Sequence, residues 1–238
     1  MLHAVICGAG PRGMEHAEAI ERLDDVELTG FFDVSQKART EAERIRSKPA
    51  YGSLNNLLHD QRPDVVIVAT PPRVRLHLIE QIVQSDAVRG IVIEKPLALT
   101  LQDARQIRSM CDSHRIAMAV CYQLRFSQEF VRLKEAVEAN QIGEVQFIHA
   151  GCYGNLFNQG PHIIDMAQWL MDARPVQWIM AQGCDEPREL AQLTEIPADF
   201  SHDKNHPAPL FLKATLGFEG GVEASNFLTC DTHKWSNS

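Results

Sequence analysis

The sequence has no run of roughly 18 consecutive apolar residues, the length a helix needs to cross a bilayer. Its six cysteines, Cys7, Cys111, Cys121, Cys152, Cys184 and Cys230, include no C-x-x-C pair. That excludes the common zinc-ribbon and dithiol redox spacings, and reduced thiols are expected. Basic residues are in the minority: 23 Lys and Arg against 31 Asp and Glu give a formal net charge of −8. A protein that holds a phosphate backbone needs the opposite balance, so nucleic acid is not an expected partner. The opening MLHAVICGAG shows no basic leader and only a short apolar stretch, unlike a secretory signal. From these absences we expect a cytoplasmic protein without a membrane partner. Internal repeats and low-complexity tracts are also missing.

What remains is an ordinary soluble composition, 45% apolar and 23% charged, over 238 residues. That balance buries a sizeable core, and the length suits two modest domains. The first half alternates short β-branched runs with helix-length segments. HAVIC, VELTGFFDV, DVVIVAT, GIVIEKP and RIAMAVCYQ read as strands. Residues 13–23, 35–46, 53–60, 73–85 and 100–113 read as helices. This alternation predicts an α/β domain over residues 1–121, a doubly wound parallel sheet covered on both faces.

After residue 121 the pattern changes. SQEFVRLKEAVEAN and residues 161–171 have helical period, whereas VQWIMAQG, LFLKATLGF and GVEASNFL alternate apolar with polar side chains. Such alternation predicts an α+β domain over residues 122–238 with an open-faced, mainly antiparallel sheet. The glycines of FEGGV suit a hairpin turn between the last two strands. Residues 184–209, rich in proline and charge, read as a long loop.

The strongest chemical signal is ICGAGPRGMEH, where Gly8, Gly10 and Gly13 form G-x-G-x-x-G between a strand and a helix. Gly8 suits a tight turn, Gly10 the close approach of a pyrophosphate, and Gly13 close packing of helix on strand. Pro11 and Arg12 complete the loop. Asp33, at the end of the second strand, can bond both ribose hydroxyls and repel a 2′-phosphate, which favours NAD; Arg12, Lys37 and Arg39 leave NADP open. Two further motifs end later strands: Ala69-Thr70-Pro71-Pro72 and Glu94-Lys95-Pro96. Open α/β sheets bind ligands at such strand ends, although prolines also simply stop strands.

Taken together, G-x-G-x-x-G, an acid closing the second strand, TPP followed by His77, EKP, YQLRF, IGEV and GPHIIDMAQWL are similar in order and spacing to the Gfo/Idh/MocA family of oxidoreductases. The similarity runs to about residue 230, and the chain ends well before members of that family usually do. The resemblance implies NAD(P), a Rossmann domain, and a sugar, inositol or related polyol as substrate. It adds Thr70, Pro71, His77, Glu94, Lys95 and Gln123 to the cofactor contacts, and assigns catalysis to Lys95 and His162. It places Tyr122, Arg125 and Asn158 with them at the substrate. In the family an aspartate stands four residues before the histidine; here the position is Asn158.

The chemistry can be argued without the family. Removing a hydride from a secondary alcohol leaves a carbonyl, so a nearby base must take the hydroxyl proton. A lysine can do so when burial or a neighbouring cation lowers its pKa, and imidazole needs little tuning. Tyr122, Gln123 and Arg125 follow the last Rossmann strand, where polar side chains suit a hydroxylated substrate; a plain salt bridge also accounts for Arg125. Asn158 reads equally well as the N-cap of a helix whose stripe is Ile163, Ile164, Ala167, Leu170 and Met171, with His162, Asp165 and Trp169 on an adjoining face. His202, Asp203 and His206 read as a solvated loop, and no metal is expected. Two other functions fit the same residues: a catalytically silent NAD- or sugar-sensing relative, and an NAD-dependent glycoside hydrolase. A sheet short of late strands suggests a homo-oligomer.

Overall fold

The computed structural model describes residues 1–153, 156, 158–184 and 211–229. The chain divides into two compact units, Met1–Cys121 and Tyr122–Ser238.

In the first unit the strands are β1 (Leu2–Cys7), β2 (Val26–Phe32), β3 (Ala50–Tyr51), β4 (Val65–Val68), β5 (Gly90–Glu94) and β6 (Ala117–Cys121). They form one parallel sheet in the order β3-β2-β1-β4-β5-β6. The helices are α1 (Pro11–Ile20), α2 (Gln36–Arg46), α3 (Leu54–Gln61), α4 (Pro72–Ile82) and α5 (Leu101–Ser113). This is the doubly wound order whose ligand crevice lies between β1 and β4, where the direction of winding reverses.

The strands read as continuous apolar runs because both faces are covered. Ala4 and Ile6 of β1 and Ile67 of β4 belong to one buried cluster with Ala17, Ile20 and Phe31. Val5, Cys7, Val66 and Val68 belong to another with Leu57, Ile79, Ile91 and Ile107. Neighbouring residues of one strand therefore serve opposite faces, as the period of two requires. Ser35, Ser53 and Thr100 start α2, α3 and α5 by accepting the amides of Ala38, Asn56 and Asp103. The two-residue strand β3 is too short to leave a pattern in the sequence, and was not expected.

The second unit contains a 3-10 turn at Gln123–Phe126, α6 (Gln128–Glu138), β7 (Phe147–Tyr153), α7 (Gly160–Leu170), β8 (Val176–Cys184), β9 (Phe211–Phe218) and β10 (Glu223–Thr229). Its sheet runs β7-β10-β9-β8; β8, β9 and β10 pair antiparallel, and β7 joins parallel to β10. The hairpin between β9 and β10 turns through Gly220 (φ 90) and Gly221 (φ 86), a conformation that costs glycine little. Ala167 and Met171 of the α7 segment pack on Leu216, Phe218, Val222 and Ala224. Elsewhere the sheet is open: Phe147, Trp178, Ile179 and Met180 are exposed.

Asn158 is not the cap of α7. The helix begins at Gly160 with Gln159 in the N-cap position and no side-chain cap bond, and Pro161 lies in its first turn. The buried face is also wider than a five-residue stripe, since His162, Asp165 and Met166 are buried with Ile163 and Ala167. The trio His202, Asp203 and His206 lies outside the described residues. Among the described residues, no helix is long and apolar enough to cross a membrane.

Candidate active site

The candidate residues of the first unit lie at the ends of β1, β2, β4 and β5. β1 ends at Cys7, and the chain turns through Gly8 at φ +102, where L side chains are strained. A Cβ on Gly8 would also lie 3.0 Å from the Ala69 carbonyl carbon and oxygen, so β1 and the segment after β4 meet at this turn. At Gly13 a Cβ would fall 1.9 Å from the Gly8 carbonyl oxygen, which leaves room for no side chain. At Gly10 a Cβ would meet nothing within 4 Å. Packing therefore explains two glycines, while the third faces open space.

Gly10 is the N-cap of α1, with no side-chain cap bond and no acidic residue in the first turn. Pro11 at the first helical position has no N–H to satisfy, so the Arg12 and Gly13 amides form the positive end of the helix dipole. Open space over uncapped amides is what a pyrophosphate needs, and the residues fit NAD here. Asp33 closes β2; its Oδ2 accepts from the Ala9 amide at 2.8 Å and its Oδ1 from the Ser35 amide at 2.8 Å. Those two bonds hold the carboxylate beside the glycine loop and leave further lone pairs for ribose hydroxyls. Arg39 donates to the carbonyls of Asp33 (2.7 Å) and Val34 (3.0 Å), and Arg12 pairs with Glu15 at 2.5 Å. Two of the three cations that could meet a 2′-phosphate are thus already engaged.

Beyond β5 stands Glu94-Lys95-Pro96, with a cis Lys95–Pro96 bond. Lys95 is half-buried, and burial lowers its amine pKa. Glu94 opposes that shift, whereas the charges of Arg12 and Arg75 add to it, and Cys121 opposes it weakly. The Glu94 side chain is buried and bonds Nε2 of His16, on α1, at 2.9 Å. Burial pushes its carboxyl up, but the His16 bond and the Arg12 and Lys95 charges outweigh this and hold it low. The Cys121 thiol, at the end of β6, is pushed up to about 11 by burial and then by Glu94, to which it hydrogen-bonds. His16, Glu94 and Cys121 bring their ligand atoms within 4.8 Å of one another. They satisfy each other by hydrogen bonds, and the neighbouring Arg12 and Lys95 charges oppose a cation there.

Of the other residues expected to meet the cofactor, Thr70 and Pro71 follow β4, and Pro71 caps α4. His77 is one of that helix's exposed side chains, bonded to Gln81 at 3.0 Å and Glu80 at 3.4 Å. Gln123 belongs to the second unit, in the 3-10 turn.

Within the second unit, Tyr122, Arg125 and His162 do come together. The His162 and Tyr122 rings meet edge to face at 6.3 Å, and the Arg125 guanidinium lies over the Tyr122 ring at 5.9 Å. Arg125 forks onto Asp165, with Nε to Oδ2 at 2.7 Å and Nη2 to Oδ1. The plain salt bridge that also accounts for this arginine is real, yet 39% of the Arg125 side chain is exposed, enough to touch a second ligand. Burial, then Asp165, raises the Tyr122 phenol, which keeps its proton. Asn158 lies half-buried four residues before His162.

Three residues of these clusters were missed. Asp165 and His16 had a weak signal, each a polar side chain three residues from a motif position on a buried helix face. Arg75 had a better one: it falls on the stripe Leu78, Ile79 and Ile82 that α4 buries.

Residues 2–122 match the model of an oxidoreductase family with an NAD-binding Rossmann fold, Gfo/Idh/MocA. The chain is 26% identical over 193 residues to a myo-inositol 2-dehydrogenase of Thermotoga maritima, covering 75% of this chain and 57% of that protein. It is 23% identical over 194 residues to the rhizopine catabolism protein MocA of Rhizobium meliloti, covering 74% and 59%. The chain thus spans little more than half the length of these relatives. Among solved structures, the WlbA dehydrogenase of Bordetella pertussis, in complex with NADH and UDP-GlcNAcA, superposes with a TM-score of 0.82 at 22% identity, over 98% of this chain and 68% of that one. A myo-inositol 2-dehydrogenase of Lactobacillus plantarum gives a TM-score of 0.79 at 17% identity, over 96% and 70%. The chain belongs to the Gfo/Idh/MocA oxidoreductases, a family with an NAD-binding Rossmann fold.

Proposed function

We propose that this oxidoreductase is an NAD-dependent dehydrogenase of a secondary hydroxyl on a sugar, inositol or related polyol. The observation that carries the reading is Lys95: a half-buried amine of lowered pKa just past the end of β5, at the same C-terminal end of the parallel sheet as the glycine loop after β1. A bound nicotinamide supplies the hydride acceptor. Lys95 takes the hydroxyl proton as the carbonyl forms, and burial helps because a neutral amine is the competent form. Gly8, Gly10 and Gly13 seat the pyrophosphate over the first turn of α1, and Asp33 holds the adenosine ribose.

His162 is the second proton-transferring group, oriented by the Tyr122 ring. Arg125 binds substrate oxygens while Asp165 fixes its plane. Asn158 cannot ionise, so it serves as a hydrogen-bonding contact and not as a relay acid. The polyol class is supported by the relative named myo-inositol 2-dehydrogenase. The exposed apolar residues Phe147, Trp178, Ile179 and Met180 support self-association through the second sheet, in a cytoplasmic protein.

The test is incubation with NAD and a panel of polyols, following reduced nicotinamide. Reduction that disappears in Lys95→Ala supports the dehydrogenase. Tight NAD binding with no turnover on any polyol would instead select a sensor, and NAD-dependent sugar release without net reduction would select glycoside cleavage.

A further inference from the structure

The charged side chain of Arg75, on α4, is 3% exposed and ties together several backbone groups on the ligand side of the first unit. Its Nε and Nη2 donate to the Thr70 carbonyl at 2.9 and 2.7 Å, while Nη1 donates to the carbonyls of both Glu94 and Pro96. Thr70 follows β4 and touches the Gly8 turn; a Gly8 Cβ would meet its amide at 3.1 Å. Glu94 and Pro96 flank Lys95. One guanidinium therefore links the loops after β4 and β5, and through Thr70 the glycine loop after β1.

We propose that Arg75 is a positioning residue for the reaction: by holding the carbonyls on either side of Lys95 against Thr70, it sets where the amine stands relative to the cofactor loop. The inference rests on the reading of Lys95 as the proton-transferring amine. Arginine suits the task because its planar fork fixes several acceptors in one plane, which a lysine ammonium cannot do. Burying an unpaired charge is costly, so a helix that needed only packing would carry an apolar residue between Pro72 and Leu78. The guanidinium has a second effect through its charge. Among the described residues, the groups that act on the Lys95 amine include Glu94 beside it, Arg12 from α1, Arg75 from α4 and Cys121 from β6, with His16 bonded to Glu94. Arg75 and Arg12 favour the neutral amine, and Glu94 and Cys121 oppose them.

The test compares the parent chain with Arg75→Gln and Arg75→Lys. Lys95 is followed by carbon-13 reductive methylation and NMR, its signal identified by loss in Lys95→Arg. NAD affinity and turnover are measured alongside. With the charge gone, the Lys95 titration in Arg75→Gln moves to higher pH, and the rising limb of the pH–rate profile moves with it. In Arg75→Lys, which keeps the charge without the fork, the Lys95 resonance changes position while its titration stays near the parent's. Both variants lose kcat by roughly 10–100-fold, the scale of a small misplacement of a reacting group, with a much smaller change in KM for NAD.

A folded Arg75→Gln with the parent's Lys95 resonance, titration and kcat would make Arg75 a strut and overturn the proposal. If Arg75→Gln does not fold, an Arg75→Lys protein with an unmoved Lys95 resonance and parental kcat overturns it. If the parent reduces NAD with no polyol, the dehydrogenase reading fails, and the Lys95 resonance and titration still decide the role of Arg75.

Discussion

Gly10 and Gly13 stand three residues apart in one loop, yet substitution separates them cleanly. Gly10→Ala adds a methyl where the protein has nothing within 4 Å, so the melting temperature without cofactor stays within about 2 °C of the parent. The same methyl occupies the space of the pyrophosphate, and NAD affinity falls by roughly 10-fold or more, about 1.4 kcal/mol. Gly13→Ala drives a Cβ to 1.9 Å from the Gly8 oxygen and costs roughly 3 kcal/mol of stability before any ligand is added. Thermal melts and NAD titration of the two variants check both statements. At this scale the glycines and Asp33 were legible because backbone conformation and charge restrict which residue can stand there. Arg75, His16 and Asp165 were not, because Arg75 bonds backbone carbonyls 5 to 21 positions away and His16 and Asp165 bond side chains 78 and 40 positions away. His77 shows the converse: it matched a motif by spacing, but the turn of α4 that faces the core carries Arg75.

Helix starts were the most readable feature of the elements. Ser35, Ser53 and Thr100 precede α2, α3 and α5 and cap them, each accepting an amide three residues on. Thr100→Ala costs about 1 kcal/mol, measured by denaturant unfolding of the parent and variant. The same rule allows Asn158 as a cap, but α7 starts at Gly160 with Gln159 in the N-cap position, and the His162 amide bonds the Gln159 carbonyl at 3.1 Å. Freed from capping, Asn158 is open to a kinetic test. Asn158→Asp restores an ionisable group four residues before His162, and turnover rises by roughly 10-fold. An unchanged rate would remove that position from the proton path. The strands of the second sheet were legible from alternation, but the parallel pairing of β7 with β10 was not, since pairing partners lie 76 residues apart along the chain.

On the scale of the whole molecule, the order of elements carried most of the information. Five βα repeats followed by an alternating sheet describe two units, and the glycine loop, Asp33, Thr70 and Lys95 all lie in the first. A fragment of residues 1–121 accordingly folds and binds NAD within roughly 10-fold of the parent affinity by calorimetry, and reduces none of it. What the sequence could not specify is the substrate. On the proposed reading, specificity depends on where the Arg125 fork and the Tyr122 ring stand, and the Arg125 fork is held by a contact with Asp165 that spans 40 residues. The most direct measurement of the central claim uses polyols deuterated at their carbinol carbons, with mass spectrometry of the nicotinamide recovered from the reaction. The account predicts deuterium on reduced nicotinamide with at least one polyol, and none in Lys95→Ala although NAD still binds. Recovered nicotinamide that stays oxidised and unlabelled with every polyol, from a parent protein that binds NAD, would contradict it.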